Sequence, residues 1–398
     1  MVKTQTNVPL ISVFPQVLFW VYFSTLGTLT VNIDTNISLV VIVILISLVL
    51  FARRSGESGD SSFLRIKSKS LIPIFILIGS QILSALAAGY DFSGRLLFFA
   101  LTLGSFLVFI LVDSEKAVRG FYLSAITLGV IGWPIELLGL NSYHFASGYG
   151  VNPLDWRWMG LQSHPNIAGV TMSLLFGLAL IKYRSYAVAG LALMNIAVAE
   201  HRGGLIGAIL ILAYFSFVNF NRWSGLKKSI AFIGWISVLV TAPAALVARN
   251  GTDDLSTGRV TIWNLCLAEY DKSPLFGSGP NTITRLFGQD KFSAFTPFHC
   301  HNQFLDDLVN FGWIGALFPT ALLITCLILS VRRKEHYLVA CILVIMSCWF
   351  VETPFRLFAT QPSAFLNLFI LLAFVWAISS PKKDPKGSLA LNYQRTVK

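Results

Sequence analysis

Residues 248–304 read ARNGTDDLSTGRVTIWNLCLAEYDKSPLFGSGPNTITRLFGQDKFSAFTPFHCHNQF, a polar stretch set between apolar runs at 229–247 and 305–330. It carries Ser256-Thr257-Gly258-Arg259, then Ser273-Pro274-Leu275-Phe276-Gly277-Ser278-Gly279-Pro280, then His299-Cys300-His301-Asn302. In a chain of 398 residues that is 55% hydrophobic and 12% charged, this is the place with room for a folded extramembrane unit. The runs that flank it decide the fold class. A mean hydropathy of +0.69 lies far from soluble globular values. The runs do not alternate in polarity, so they read as membrane helices and not as the strands of a barrel, which are about ten residues long.

Working outward, the sequence gives about twelve transmembrane helices, near 9–30, 37–51, 71–88, 96–112, 120–140, 166–181, 186–200, 203–220, 229–247, 305–330, 337–351 and 357–378. The expected fold is all-α and polytopic, with residues 1–398 forming a single integral membrane domain. Loop 248–304 is inserted between helices nine and ten and contains short helices; 380–398 is a flexible cytoplasmic tail. Residues 55–62 form a polar linker. The first apolar run is too long for a cleavable signal peptide and lacks a small-residue cleavage site.

A net charge of +11 raises the question of nucleic acid. The distribution answers it. An even number of spans divides the loops into two sets, and 21 of the 30 basic residues fall in the set that includes Lys3, Arg53, Arg54, Lys182, Arg332 and Lys398. Retention of lysine and arginine on the cytoplasmic side puts both termini in the cytoplasm and loop 248–304 outside. The basic clusters are short and juxtamembrane, so no nucleic-acid partner is expected. No nucleotide-binding glycine loop is present.

Cys326, Cys341 and Cys348 lie in apolar runs and read as small core residues. Cys266 and Cys300 share the large loop and can pair if that loop is extracytoplasmic. His299 and His301 could ligate a metal, with Cys300 as a soft ligand, but no third ligand stands at a persuasive spacing. The reading is therefore no metal and no cofactor. Asp253-Asp254 and Asp306-Asp307 are the other acidic candidates, and Asp306-Asp307 reads as polar capping of helix ten. No G-x-S-x-G marks a serine hydrolase.

The information lies on the outer face. Loop 141–165 holds Tyr143, His144, Tyr149, Trp156, Arg157 and Trp158, which suit an interfacial belt and equally suit stacking on sugar rings. It closes with Ser163-His164-Pro165-Asn166, where Pro presets a first helical turn and Asn can serve the exposed amides. Glu200-His201-Arg202-Gly203-Gly204 leaves room only for a tight reversal, so Arg202 opens a helix near the membrane boundary. There it can snorkel, or it can join the free amides in a phosphate site. In the large loop Val260, Trp263, Leu267 and Tyr270 define one apolar helical face, with Arg259 in the first turn where the dipole disfavours a cation. Residues 281–288 suggest a further short helix.

Arginines and a histidine thus face one compartment. Transfer of a glycan from a lipid diphosphate needs two groups of this kind: a guanidinium to neutralise the departing diphosphate and a base of pKa near 6.5 for the acceptor hydroxyl.

The motifs also resemble a family. Ser163-His164-Pro165-Asn166, Arg202-Gly203-Gly204, Gly258-Arg259 with Trp263, Ser273 to Gly279, and His301-Asn302-Gln303-Phe304-Leu305 through Phe311-Gly312-Trp313-Ile314-Gly315 occur in that order. The series is similar to the O-antigen ligase and O-antigen polymerase superfamily of bacterial membrane proteins, most firmly over about 160–320. The resemblance implies a GT-C-like helical fold and a glycosyltransferase of the bacterial cytoplasmic (inner) membrane, acting at the periplasmic or outer face. It implies an undecaprenyl-diphosphate-linked glycan as donor, with transfer that is metal-independent and inverting. The acceptor would be lipid A-core for a ligase, or a growing lipid-linked polysaccharide for a polymerase.

By position, Arg202 and Arg259 would bind the diphosphate and His301 would be the base or the residue that orients the acceptor, with Asn302, His164, Asn166 and Arg157 supporting the acceptor or the site. Two departures stand out. Arg202 follows His201 where the family often has serine, and the choice of His301 over His299 rests on the Asn302 match. A lipid-linked-sugar transporter is the alternative from another class. It should carry ionisable or helix-breaking residues at mid-membrane, whereas here the polar residues gather at the outer face.

Overall fold

The computed structural model describes residues 13–18, 20–21, 71–89, 106, 114–140, 156–162, 164–220, 224, 259–287, 299–353, 355 and 364–379. The expected spans at 37–51 and 229–247, the linker 55–62, the aromatic residues of 141–155, Asp253-Asp254 and the tail 380–398 lie outside those residues, as do most of the spans at 9–30 and 96–112. Among the described residues the regular structure is helical. In chain order we number the helices α1 Ile72–Ala87, α2 Ser114–Leu137, α3 Pro165–Gly177, α4 Tyr186–Val198, α5 Arg202–Asn219, α6 Arg259–Tyr270, α7 Thr282–Phe287, α8 Gln303–Arg332, α9 His336–Val351 and α10 Ala364–Ser379. A π-helical segment, Leu178–Tyr183, extends α3.

Four helical stretches among the described residues are long and apolar enough to cross a membrane: Glu115–Leu137, Pro165–Tyr183, Arg202–Asn219 and Gln303–Arg332. Four shorter apolar helices, α1, α4, α9 and the Leu366–Ser379 part of α10, pack with them. Their outward faces carry exposed Phe75, Leu83, Leu86, Phe217 and Phe350, as expected of helices in contact with lipid. The protein is an integral membrane protein.

Small residues set the central contact. A Cβ on Gly203 would lie 2.8 Å from Val351 Cγ2 and 3.2 Å from Cys348 Cα, and one on Gly207 would lie 2.7 Å from Ser347 Oγ. Glycines four apart thus let α5 lie close against α9, the packing device of membrane helices. Elsewhere the core closes on aromatic rings: Trp20 meets Phe121 edge-on at 5.3 Å, and Phe121 meets Phe369 at 4.3 Å.

The helix ends sort into two groups. At one end Lys182 pairs with Glu115 at 2.7 Å and sits 4.1 Å over the Tyr337 ring, while Arg333 donates to the last carbonyls of α10, Ala377 O and Ile378 O. The starts of α3, α5 and α8 and the C-terminus of α9 lie at the other end. Each of those starts is capped by a side chain. His164 Nδ1 accepts from Asn166 N at 3.0 Å, His201 Nδ1 from Gly204 N at 2.9 Å, and Asn302 Oδ1 from Leu305 N at 3.0 Å. The cap of α3 is therefore His164 and not Asn166, whose side chain is used elsewhere.

The large loop folds onto this end. α6 turns Ile262, Cys266 and Glu269 inward and leaves Leu267 exposed, so its buried face is rotated from the one Val260, Trp263, Leu267 and Tyr270 suggested. A disulfide between Cys266 and Cys300 fixes that rotation by tying α6 to the residues just before α8. Ile262, Ile283 and Val309 pack around it. The turn after α6 then docks on α8: Ser278 N and Gly279 N donate to Val309 O and Asn310 O at 2.8 and 3.0 Å, and Trp313 N donates to Pro274 O at 2.9 Å. α8 breaks there at Gly312 (φ 60°, ψ −166°), and Gly277 has φ 72°. A Cβ on Gly277 would meet the Asn310–Gly312 backbone, and one on Gly312 would meet the backbone of Leu275 and Phe276. The two glycine motifs are the halves of one backbone-to-backbone contact.

Candidate active site

The polar ends converge on Glu352, the residue that follows α9. Its Oε1 accepts from Asn166 Nδ2 at 2.7 Å and from Arg259 at 3.1 Å, and its Oε2 lies 3.3 Å from His301 Nδ1. The start of α3, the start of α6, the turn before α8 and the end of α9 thus supply one residue each. Local folding explains each placement. Pro165 sets the first turn of α3 and aims Asn166. Arg259 opens α6, where the dipole alone would not favour it, and Glu352 supplies the missing partner. His301 sits at φ 51°, in the left-handed region, between the disulfide and the Asn302 cap. Gln303 holds the segment beyond Glu352 by accepting from Phe355 N at 2.9 Å and donating to Phe355 O at 2.7 Å.

Neighbouring side chains hold these four residues in place. Arg157 donates to Asn166 Oδ1 at 2.7 Å, to Ala199 O at 3.0 Å and to Glu200 O at 3.5 Å, so it orients the amide that reaches Glu352. His299 Nδ1 accepts from His301 N at 3.1 Å, and the two rings lie 4.1 Å apart. Asp306 accepts from Cys300 N at 3.0 Å and from Asn310 Nδ2 at 2.9 Å, so it serves the α8 start as capping.

Burial would raise the Glu352 carboxyl, but the His301 hydrogen bond and the charges of His301, His299 and Arg259 outweigh it and hold the group well below the usual carboxylate range. Glu352 is thus an anion throughout the physiological range. Burial acts the other way on the two capping imidazoles. It lowers His164 to about 4, against the pull of Glu352 and with help from Arg157 and His301. It lowers His201 to about 4 as well, again against Glu352 and with Arg157 and Arg259 assisting. Both are neutral caps at pH 7.

Of the residues singled out in the sequence, the structure joins His301, Arg259 and Asn166 directly through Glu352, with Arg157 and His164 behind Asn166. Asn302 serves as the cap of α8 and donates to Phe350 O at 3.4 Å. Arg202 opens α5, half-buried, and has no hydrogen bond or ion pair among the described residues. Trp158 is buried in the core and Trp156 donates to Glu136 at 2.9 Å, so these two rings are packing groups. Glu136 also accepts from Met159 N and Gly160 N.

The residue that sequence reasoning missed is Glu352. A lone carboxylate between an apolar run and Thr353-Pro354 gives little signal, and its partners lie 51 to 186 positions away. It also supplies the third donor near the His-x-His pair: ligand atoms of His299, His301 and Glu352 all lie within 4.8 Å of one another. Cys300 cannot add a thiolate, because it is held in the disulfide.

A bundle of apolar helices whose polar ends gather arginine, histidine and carboxylate over one face defines a membrane protein with the groups for anionic-substrate chemistry. Residues 187–320 match the family model described as O-antigen ligase. The match supports the superfamily that the motifs indicated, over about a third of the chain. The matched range includes Arg202, Arg259, His301 and Asn302, whereas Arg157, His164, Asn166 and Glu352 lie outside it. Comparison with curated proteins gives no match.

Proposed function

We propose that the protein moves a glycan from an undecaprenyl-diphosphate carrier to a cell-surface acceptor such as lipid A-core, at the outer face of the bacterial cytoplasmic membrane. The observation that carries this reading is the convergence of His301 and Arg259 on the buried carboxylate of Glu352. In the reaction the acceptor oxygen attacks the anomeric carbon, the bond from that carbon to the phosphate oxygen breaks, and the carrier diphosphate leaves. Attack from the face opposite the leaving group inverts the centre. The acceptor proton goes to His301.

Glu352 makes His301 a base. With Nδ1–H directed at the carboxylate, Nε2 is the bare nitrogen, and the imidazolium that forms on proton transfer is stabilised by the adjacent anion. The charge lost by the donor falls on the diphosphate. Arg259, held in place by Glu352, brings a guanidinium to that charge without a metal, and Arg202 at the start of α5 is the second cation in reach of a lipid headgroup. Asn166 and Arg157 keep the carboxylate oriented. The disulfide supports an extracytoplasmic location for the site, since such bonds persist in oxidising compartments.

The same chemistry joins repeat units on the carrier when the acceptor is itself lipid-linked, so ligase and polymerase differ here in the acceptor. Purified protein supplied with a synthetic undecaprenyl-diphosphate oligosaccharide in EDTA, with and without lipid A-core, separates them by mass spectrometry of the products. Glycan on the core identifies the ligase that we propose; longer chains on the carrier identify a polymerase. Activity that appears only on adding a divalent metal would overturn the arginine–histidine mechanism. Variants of Arg202, Arg259 and His301 that strand the lipid-linked glycan on the inner leaflet would instead indicate transport.

A further inference from the structure

We propose that His299, His301 and Glu352 form a zinc-binding site, and that zinc bound there switches the transfer reaction off. The donor set is two imidazoles and one carboxylate, a combination that favours zinc over magnesium or calcium. The geometry is nearly assembled. Zinc bonds of about 2.0–2.1 Å put the ligand atoms of a tetrahedron roughly 3.3 Å apart, and His301 Nδ1 stands 3.3 Å from Glu352 Oε2. His299 completes the set within the 4.8 Å spread, and a small rotation of its ring away from the His301 amide brings a nitrogen to the ion. Asn166 and Arg259 bind the other carboxylate oxygen and so fix its orientation, the role outer partners play at metal sites.

The consequence for catalysis follows from tautomers and rests on the reading of His301 as the base. Base catalysis needs a proton on Nδ1, shared with Glu352, and a bare Nε2. Zinc on Nδ1 requires the reverse: the proton moves to Nε2, which then cannot accept one from the sugar hydroxyl. The ion also takes the Glu352 oxygen that would stabilise the imidazolium. Arg259 carries a positive charge 3.1 Å from the same carboxylate and opposes a second cation. That repulsion suits a reversible occupant and not a resident ion, so the site is inhibitory and compatible with metal-independent transfer.

The test is isothermal titration of the purified, metal-stripped full-length protein in detergent with zinc chloride, magnesium chloride as the control, alongside the transfer assay. His299→Asn removes a ligand while its side-chain oxygen can still accept from the His301 amide. The expected result is one zinc per chain and no magnesium binding. Zinc affinity should fall at least tenfold in His299→Asn. Saturating zinc should slow wild-type transfer at least tenfold, reversibly with EDTA, and leave the variant's transfer unaffected. Cobalt(II) titrated into the wild-type protein should give the visible bands of a tetrahedral site, which tests the metal site without any variant. Absence of stoichiometric zinc, wild-type affinity in His299→Asn, or zinc binding with unchanged wild-type transfer would each overturn the proposal. Titration and cobalt spectra need no glycan, so a protein that transfers nothing would sink the glycosyltransferase reading while the metal site is judged separately.

Discussion

Two parts of one polar loop meet α8 in opposite ways. The turn at 273–280 presents backbone: Gly277 lies against the backbone of Asn310 to Gly312, Gly312 lies against Leu275 and Phe276, and amides pair with carbonyls across the seam. The run at 299–302 presents side chains: Cys300 bonds to Cys266, Asn302 caps the helix and His301 reaches Glu352. Both read in the sequence as motifs of the same standing. Their difference shows that a glycine-rich turn beside charged residues need not be a phosphate cradle; here it is the joint that holds the histidine run in register.

The comparison can be broken most sharply at His301. His301→Ala should lower transfer by roughly 10²–10⁴-fold, the range of a general base, while the protein inserts and is recovered at wild-type yield. Transfer within a few-fold of wild type would remove His301 from the chemistry. The glycine joint should fail differently. Gly277→Ala or Gly312→Ala forces a Cβ into opposing backbone at a left-handed φ, so yield and melting temperature should fall together with activity. A stable but inactive Gly277→Ala would place a ligand at the turn and contradict the architectural reading.

The disulfide links the two parts, and its loss should cost less than either. Closing a 34-residue separation is worth about 3–4 kcal/mol by loop entropy, so Cys266→Ser should lower thermal stability measurably and loosen the site. Unchanged stability and transfer would mean that Asp306 and the apolar packing suffice. The smallest effect is on acid stability. His164 and His201 are held at about 4 when folded, so between pH 6.5 and 4 the unfolded chain binds protons that the folded chain refuses. Stability should therefore fall as pH drops through that window. His164→Asn, which retains a capping oxygen, should flatten the fall; a wild-type profile in that variant would exclude this origin. Glu352 acts in the same direction in a lower window: its contribution is present above the usual carboxylate pKa and is lost as pH falls from there through its depressed value.

The sequence made the membrane class legible because apolar runs are long and local, and helices α3, α5, α8 and α9 fall near their expected positions. Charge and motif order brought His301 and Arg259 forward, and these do meet. What stayed hidden depends on contacts between distant segments. Glu352 is one acid at the end of an apolar run, and the packing of α9 against α3 and of α6 against α8 brings it to Asn166 and Arg259. The buried face of α6 escaped for a related reason: the Cys266–Cys300 bond and not hydrophobic spacing sets its rotation. The position of Asn166 suits a cap, yet His164 is the better placed acceptor.

The most direct measurement is the transfer rate of Glu352→Gln against wild type, using an undecaprenyl-diphosphate-linked oligosaccharide in EDTA, with melting temperature recorded on the same samples. The amide preserves shape and can still bond Asn166 or Arg259, but it cannot stabilise an imidazolium. A loss of about 100-fold or more at near-wild-type melting temperature is the expected result. Transfer within a few-fold of wild type would contradict the assignment of the His301–Glu352 pair as the centre of the reaction.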